Sequence, residues 1–253
     1  MKEFAALLEN LVHTPQRNGK MRLLTDYFAR IPDPDRGWTV GILAGTVDLP
    51  GTKAAMVRSL VEARVDPVLF QLSYDYVGDL AETVSLLWPD TGEKSQSVEI
   101  SYIVSVLQQI KRKDIPSRVA EWLDCIPISE RFALLKLIMG GLRVGVSARL
   151  AKLALAEFGN KSVTDIEEMW FGLQPPYEDL FQWLEDKGPA PRVDHRLAFR
   201  PPMLANPIEQ HDFNNLSPEY FVAEWKWDGI RVLFAARDGE TRLYSRSGDD
   251  IGR

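Results

Sequence analysis

Apolar residues along the first three-quarters of the chain recur at three- and four-residue steps. Phe4, Leu7, Leu8, Leu11 and Val12 share one face of a helix, and Met21, Leu24, Tyr27, Phe28 and Ile31 repeat the pattern. The Ile31-Pro32-Asp33-Pro34-Asp35 stretch breaks it. Helical patterns resume over residues 52–64, 79–88, 100–111, 117–123, 129–139, 147–158 and 176–185, with a polar loop over 89–97. The texture changes after Asp186. The KGPAP run at 187–191 and Arg200-Pro201-Pro202 favour an extended connector over a helix. From Tyr220 the spacing becomes that of strands, over 221–226 and 230–235, rich in aromatic and β-branched residues. Arg237-Asp238-Gly239-Glu240 reads as a hairpin turn centred on Asp-Gly, with 241–245 as the return strand.

These patterns predict a mostly α N-terminal domain, a helical array over residues 1–190. A linker over 191–205 follows, then a second domain over 206–253 that opens with strands. The second stretch is too short for a core of its own and is expected to be a truncated domain.

Composition narrows the setting. The 253 residues carry a net charge of −6, one cysteine (Cys125) and three histidines (His13, His195 and His211) far apart in sequence. An internal disulfide is excluded, and no Cys/His spacing suggests a zinc site. No apolar run approaches the roughly 18–20 residues that span a bilayer, and the N-terminus lacks the apolar stretch of a signal peptide. A cytoplasmic protein without membrane contact is the expectation. The acidic balance would confine any nucleic acid to one local face.

The most informative residues are Glu224-Trp225-Lys226-Trp227-Asp228-Gly229-Ile230-Arg231. A lysine at the end of an apolar strand, between two tryptophans, is placed to be partly desolvated. Desolvation lowers the pKa of an amine and frees its lone pair for attack. Attack on the α-phosphate of a nucleotide would form a phosphoramidate, with cations and a divalent metal neutralising the phosphates. The chemistry requires a lysine withdrawn from water, a cleft beside it and an adjoining sheet. A Lys-x-Asp-Gly tetrapeptide by itself is more often a hairpin turn with a solvated lysine. The longer pattern and the Leu243-Tyr244-Ser245-Arg246-Ser247-Gly248 segment behind it favour the catalytic reading.

The EWKWDGIR segment resembles motif I of the ATP-dependent DNA ligases, of bacterial type, and YSRSGDDI resembles the motif that follows it. Pro202-Met203-Leu204-Ala205 is similar to the segment leading into the family's adenylation domain. The resemblance implies that the second domain begins an α+β nucleotidyltransferase fold with an ATP-grasp-like antiparallel sheet. It implies that Lys226 takes AMP from ATP, that Glu224 contacts the adenine, and that Arg231 and Arg246 hold phosphates. Asp228 belongs to the same motif. AMP would then pass to a 5′-phosphate at a nick, and the 3′-hydroxyl would displace it, with Mg2+ on the phosphate oxygens. The resemblance implies a nucleoid-associated monomer, and the chain as it stands is expected to bind nicked duplex DNA without completing ligation.

A second resemblance lies at Ile138-Met139-Gly140-Gly141-Leu142-Arg143-Val144-Gly145-Val146-Ser147. The DNA-binding domain of larger ligases carries a similar Gly-x-Leu-Arg-x-Gly element between helices. Glycines allow close approach of backbone to phosphate, and free N–H groups at the next helix start face the anion. Gly141, Arg143, Gly145 and Arg149 are the candidate DNA contacts. The bland alternative is a glycine helix stop followed by a serine N-cap. Arg17-Asn18-Gly19-Lys20 and Lys111-Arg112-Lys113 read as solvated basic clusters. The competing functions are an RNA ligase or capping-type nucleotidyltransferase, and a non-catalytic helical DNA-binding module.

Overall fold

The computed structural model describes residues 1–49, 52–90, 97–192, 197, 199–200, 206–246 and 251–252. These form helices α1 (Lys2–His13), α2 (Arg17–Arg30), α3 (Asp35–Ala44), α4 (Ala54–Glu62), α5 (Pro67–Val77), α6 (Leu80–Leu87), α7 (Ile100–Gln109), α8 (Ile115–Cys125), α9 (Ile128–Met139), α10 (Ala148–Gly159), α11 (Val163–Trp170) and α12 (Glu178–Leu184), then strands β1 (Val232–Arg237) and β2 (Glu240–Ser245). The protein is therefore mostly helical, with a small two-stranded antiparallel sheet among the described residues. The chain divides into two units: Met1–Glu167 with Leu173–Pro191, and Glu168–Gly172 with Arg192–Arg253.

The first unit is organised around two helices. α9 packs against α1 and α6, and α10 packs against α2, α3 and α12. α9 buries Ala133, Leu134, Leu135, Leu137 and Ile138 on nearly every side, as a helix surrounded by others must. Each of those leucines and isoleucines contributes about 1.5–3 kcal/mol on burial. α10 presents Leu150, Ala151, Ala154, Leu155 and Ala156 to its neighbours. The segment joining these two central helices is the glycine element at 140–147.

Three helices lie where no helix is predicted. α3 begins within the proline break and carries Gly37 and Gly41, poor helix formers. Packing overrides propensity there: a Cβ on Gly37 would collide with the Pro176 backbone. α5 has clear start signals, because Pro67 occupies its first turn and the Asp66 carboxylate accepts from the Leu69 N–H at 2.9 Å. Only Phe70 of α5 is buried, so no apolar stripe announces it. α11 follows Ser162, whose hydroxyl accepts from the Thr164 N–H at 3.2 Å.

Arg36 closes the first unit. Its guanidinium donates to both Asp33 oxygens at 2.8 Å, to the two Glu185 oxygens at 2.7 and 3.1 Å, and to the Phe28 carbonyl at 3.2 Å. It also lies 4.2 Å from the centre of the Phe181 ring. The α3 and α12 ends of this unit are thereby tied together.

In the second unit, β1 and β2 pair with Arg237 opposite Glu240. Asp238 and Gly239 both adopt positive φ, 52° and 85°, as a two-residue type I′ turn requires. The hairpin is anchored by Phe199, which is buried, with ring centres 4.4 Å from Phe171 and 5.7 Å from Tyr244. The Tyr244 hydroxyl donates to the Leu197 carbonyl at 2.6 Å. The strand expected over 221–226 is absent; that segment has no regular structure. β1 takes β2 as its partner, and an isolated extended segment has no ladder to join. Strand β1 also begins two residues later than its apolar pattern suggests.

Replacing Arg36 with methionine leaves part-buried Asp33 without its cation and Glu185 with Lys187 alone, and should destabilise the fold by about 3 kcal/mol in urea titrations. A loss below about 1 kcal/mol would show that the ion pairs are dispensable. The Arg36 hydrogen bonds hold Glu185 down at about 2. Its contribution is therefore complete above the ordinary carboxylate range and disappears as pH falls through about 2. Glu185→Gln should flatten that part of the acid-stability curve.

Candidate functional site

Residues 221–231 are exposed throughout. Trp225 and Trp227, expected to shield Lys226, are 84% and 88% exposed. Lys226 itself is exposed, as are Glu224, Asp228, Arg231 and, after β2, Arg246. The desolvated lysine inferred from the sequence is thus corrected: its ammonium stands in water. The physical reason is the missing strand, since indole rings cover a lysine only when their backbone is held against a sheet. Ser247 to Asp250, which complete the second motif, and Pro202 to Ala205 lie outside the described residues. Among the described residues, no group of three or more His, Cys, Asp or Glu side chains is gathered to hold a metal ion. Among those same residues, no helix is long and apolar enough to cross a membrane.

The glycine element is better formed. α9 ends at Met139, and positive φ then recurs at Gly140 (71°), Gly141 (65°), Arg143 (52°) and Gly145 (68°). Three of these positions are glycine, which adopts such angles without steric cost. Arg143 holds the conformation despite its side chain, a position that costs roughly 1–2 kcal/mol. Among the described residues, no N–H from Gly141 to Val146 has a hydrogen-bond acceptor. The Ser147 hydroxyl accepts from the Leu150 N–H at 3.2 Å and caps α10. The N-cap role set against DNA contact is therefore real, and it leaves the loop amides free. Arg143 and Arg149 are both exposed.

The structure adds two cations that the sequence reading set aside. Lys20 is buried and its ammonium donates to the Val144 carbonyl, inside the glycine element. A Cβ on Gly145 would run into that ammonium. Arg17, Lys20, Gly145, Ser147 and Arg149 line one cavity of about 560 Å³. The missed signal was positional: Lys20, Leu24, Tyr27 and Phe28 form the buried stripe of α2, so a lysine occupies an apolar-face site.

Residues 202–253 match the ATP dependent DNA ligase domain. Among curated proteins, the chain is 30% identical over 167 residues to a DNA ligase of Nitrosopumilus maritimus, covering 63% of this chain and 26% of that protein. It is 26% identical over 273 aligned positions to DNA ligase 1 of Korarchaeum cryptofilum, covering 99% and 48%. A DNA ligase of Methanothrix thermoacetophila is 22% identical, with 98% and 48% covered.

The chain is similar to DNA ligases, with an ATP dependent DNA ligase domain matched over residues 202–253.

It spans about a quarter of the first of these ligases and about half of the other two. All three are archaeal, so the bacterial-type qualifier gains no support. The ligase domain match contains Lys226 and every candidate nucleotide contact. The two longer alignments run through the helical part as well, which the RNA-ligase and capping alternatives do not account for.

At Gly145, an alanine would meet both an unfavourable φ and the Lys20 ammonium. Gly145→Ala should destabilise the chain by about 1–2 kcal/mol in urea unfolding. An unchanged midpoint would mean that the loop conformation costs nothing to hold.

Proposed function

We propose that this chain is the DNA-binding part and the start of the adenylation domain of an enzyme that seals nicks in duplex DNA. The observation that carries the reading is the ligase domain match over residues 202–253, which contains the Glu224–Arg231 segment. In that reading Lys226 is the nucleophile. Its nitrogen bonds to the α-phosphorus of ATP as the bond to pyrophosphate breaks. Glu224 would recognise the adenine, and Arg231 and Arg246 would neutralise phosphate oxygens. Asp228 belongs to the same catalytic segment. These cations suit a nucleotide in charge, while the exposed Lys226 lacks the desolvation that would activate it. Mg2+ would be carried on the nucleotide phosphates, which supply hard oxygen ligands.

The helical unit would hold the duplex through Gly141, Arg143, Gly145 and Arg149. Free amides and guanidinium groups face sugar and phosphate, so the contact is independent of base sequence. That independence suits an enzyme that must act on any nick. The domain plan that follows is a helical DNA-binding region to about residue 190, a connector over 191–205, and the first part of an ATP-grasp-like adenylation sheet from 206. The chain alone is proposed to bind nicked DNA and not to complete ligation.

Two experiments test this. In the full-length enzyme, Lys226→Ala should abolish transfer of label from α-labelled ATP to protein; retained labelling rejects Lys226 as the nucleophile. In nicked-duplex titrations of the 253-residue chain, Arg143→Glu should weaken binding and lessen its salt dependence. Equal affinity and equal salt slope would remove Arg143 from the interface.

A further inference from the structure

We propose that the cavity between the first turn of α2, the glycine element and the first turn of α10 is a discrete pocket for one backbone phosphate of duplex DNA, with Lys20, Arg17 and Arg149 as its cations. The identity of the ligand rests on the ligase reading above. The pocket itself rests on its own geometry and charge.

Lys20 is the central observation. Its side chain is among the few buried charges of the first unit, at 8% exposure. Three other buried cations have negative partners: Arg36 has Asp33 and Glu185, Lys136 has Asp79, and Lys152 has Glu167, while buried Arg131 donates to the Trp88 carbonyl and lies away from this cavity. Lys20 has no carboxylate within ion-pair range among the described residues, only the Val144 carbonyl. An ammonium carries three donors, so two remain for a ligand. Withdrawing a charge from water without a counter-ion is costly, and an incoming anion relieves that cost.

The walls point the same way. The cavity is lined by Pro15, Arg17, Lys20, Gly145, Ser147, Arg149, Leu150 and Leu153, with no acidic side chain. Two helices begin at it. α10, of 12 residues, has Leu150 N–H satisfied by Ser147 and Ala151 N–H by the Ser147 carbonyl, which leaves the amides of Ala148 and Arg149 open. α2, of 14 residues, starts with no side-chain cap on its N-terminus. Two helix N-termini, each with partial positive charge, and three cations thus share one opening. The volume of about 560 Å³ admits a phosphodiester with its flanking sugars. The opening is continuous with the glycine element, which the ligase reading already assigns to the duplex. A groove of this kind reads no base edges and should bind all sequences alike.

The test is fluorescence anisotropy of the 253-residue chain with a labelled nicked duplex, over a series of salt concentrations and with two unrelated base sequences. Arg17→Ala and Lys20→Met should each weaken binding several-fold on both sequences and each lower the salt slope by about one. Arg17 is exposed, so its replacement does not disturb the core even if Lys20→Met impairs folding. If Arg143→Glu weakens binding while Arg17→Ala leaves affinity and slope unchanged, the pocket is overturned and the DNA reading stands. If the unaltered chain binds no nicked duplex at all, both fall together.

Discussion

A single buried guanidinium fixes the geometry on which the helical unit depends. Arg36 sits between α3 and α12, segments nearly 150 positions apart in sequence, and gives every strong donor an acceptor. Burial works against its charge, and the hydrogen bonds it donates to Asp33 and Glu185 outweigh that penalty and hold its pKa above the ordinary value. The consequence reaches beyond stability. α10 packs against both α3 and α12, so fixing that pair fixes the axis of α10. The start of α10 is in turn where Gly145, Ser147 and Arg149 present backbone and charge. A structural ion pair at one end of the unit thereby sets the position of the candidate phosphate contacts at the other.

Lys20 shows the opposite use of a buried cation. It lies on the inner face of α2 as deeply as Arg36 lies on α3, and it is held by a carbonyl alone. Buried charge that is fully paired serves architecture; buried charge that is short of a counter-ion and also lines a cavity, as Lys20 does, is available to a ligand. The net charge of −6 is compatible with this division. Many acids are committed locally, as with Asp66 and Asp79 at helix starts and Asp124 beside Arg64. What remains uncancelled on the α2–α10 face is positive, and a local field of that kind governs phosphate binding more than the total does.

The legible parts of the fold were those where a local rule met no opposition. The stripes of α1 and α2, the glycine stop after α9 with its serine cap, and the Asp-Gly hairpin all follow from residues adjacent in sequence. The failures have separate causes. α3 forms against the grain of its prolines and glycines, because close packing against the Pro176 backbone needs a residue without Cβ. α5 carries strong start signals and little buried surface, so periodicity could not show it. Of the site residues, Arg143, Gly145 and Arg149 fall on one loop and helix start, where sequence neighbours stay neighbours. Arg17 and Lys20 join them from far along the chain, with Lys20 bonded to Val144 across 124 positions, a distance that spacing does not cross.

The segment around Lys226 is the converse case: its residue types are informative and its surroundings are not those the types call for. Tyr220, Val222, Trp225, Trp227 and Ile230 are all more than four-fifths exposed. Aromatic side chains of this size bury about 150–250 Å² each when covered, so an uncovered run of them forgoes a large hydrophobic gain. Cover for these rings and withdrawal of the Lys226 amine from water are one event, because the indoles lie on either side of it in sequence. The reactivity of the lysine is therefore set by whatever packs on its flanking apolar side chains, and only secondarily by the charged residues that the motif places beside it.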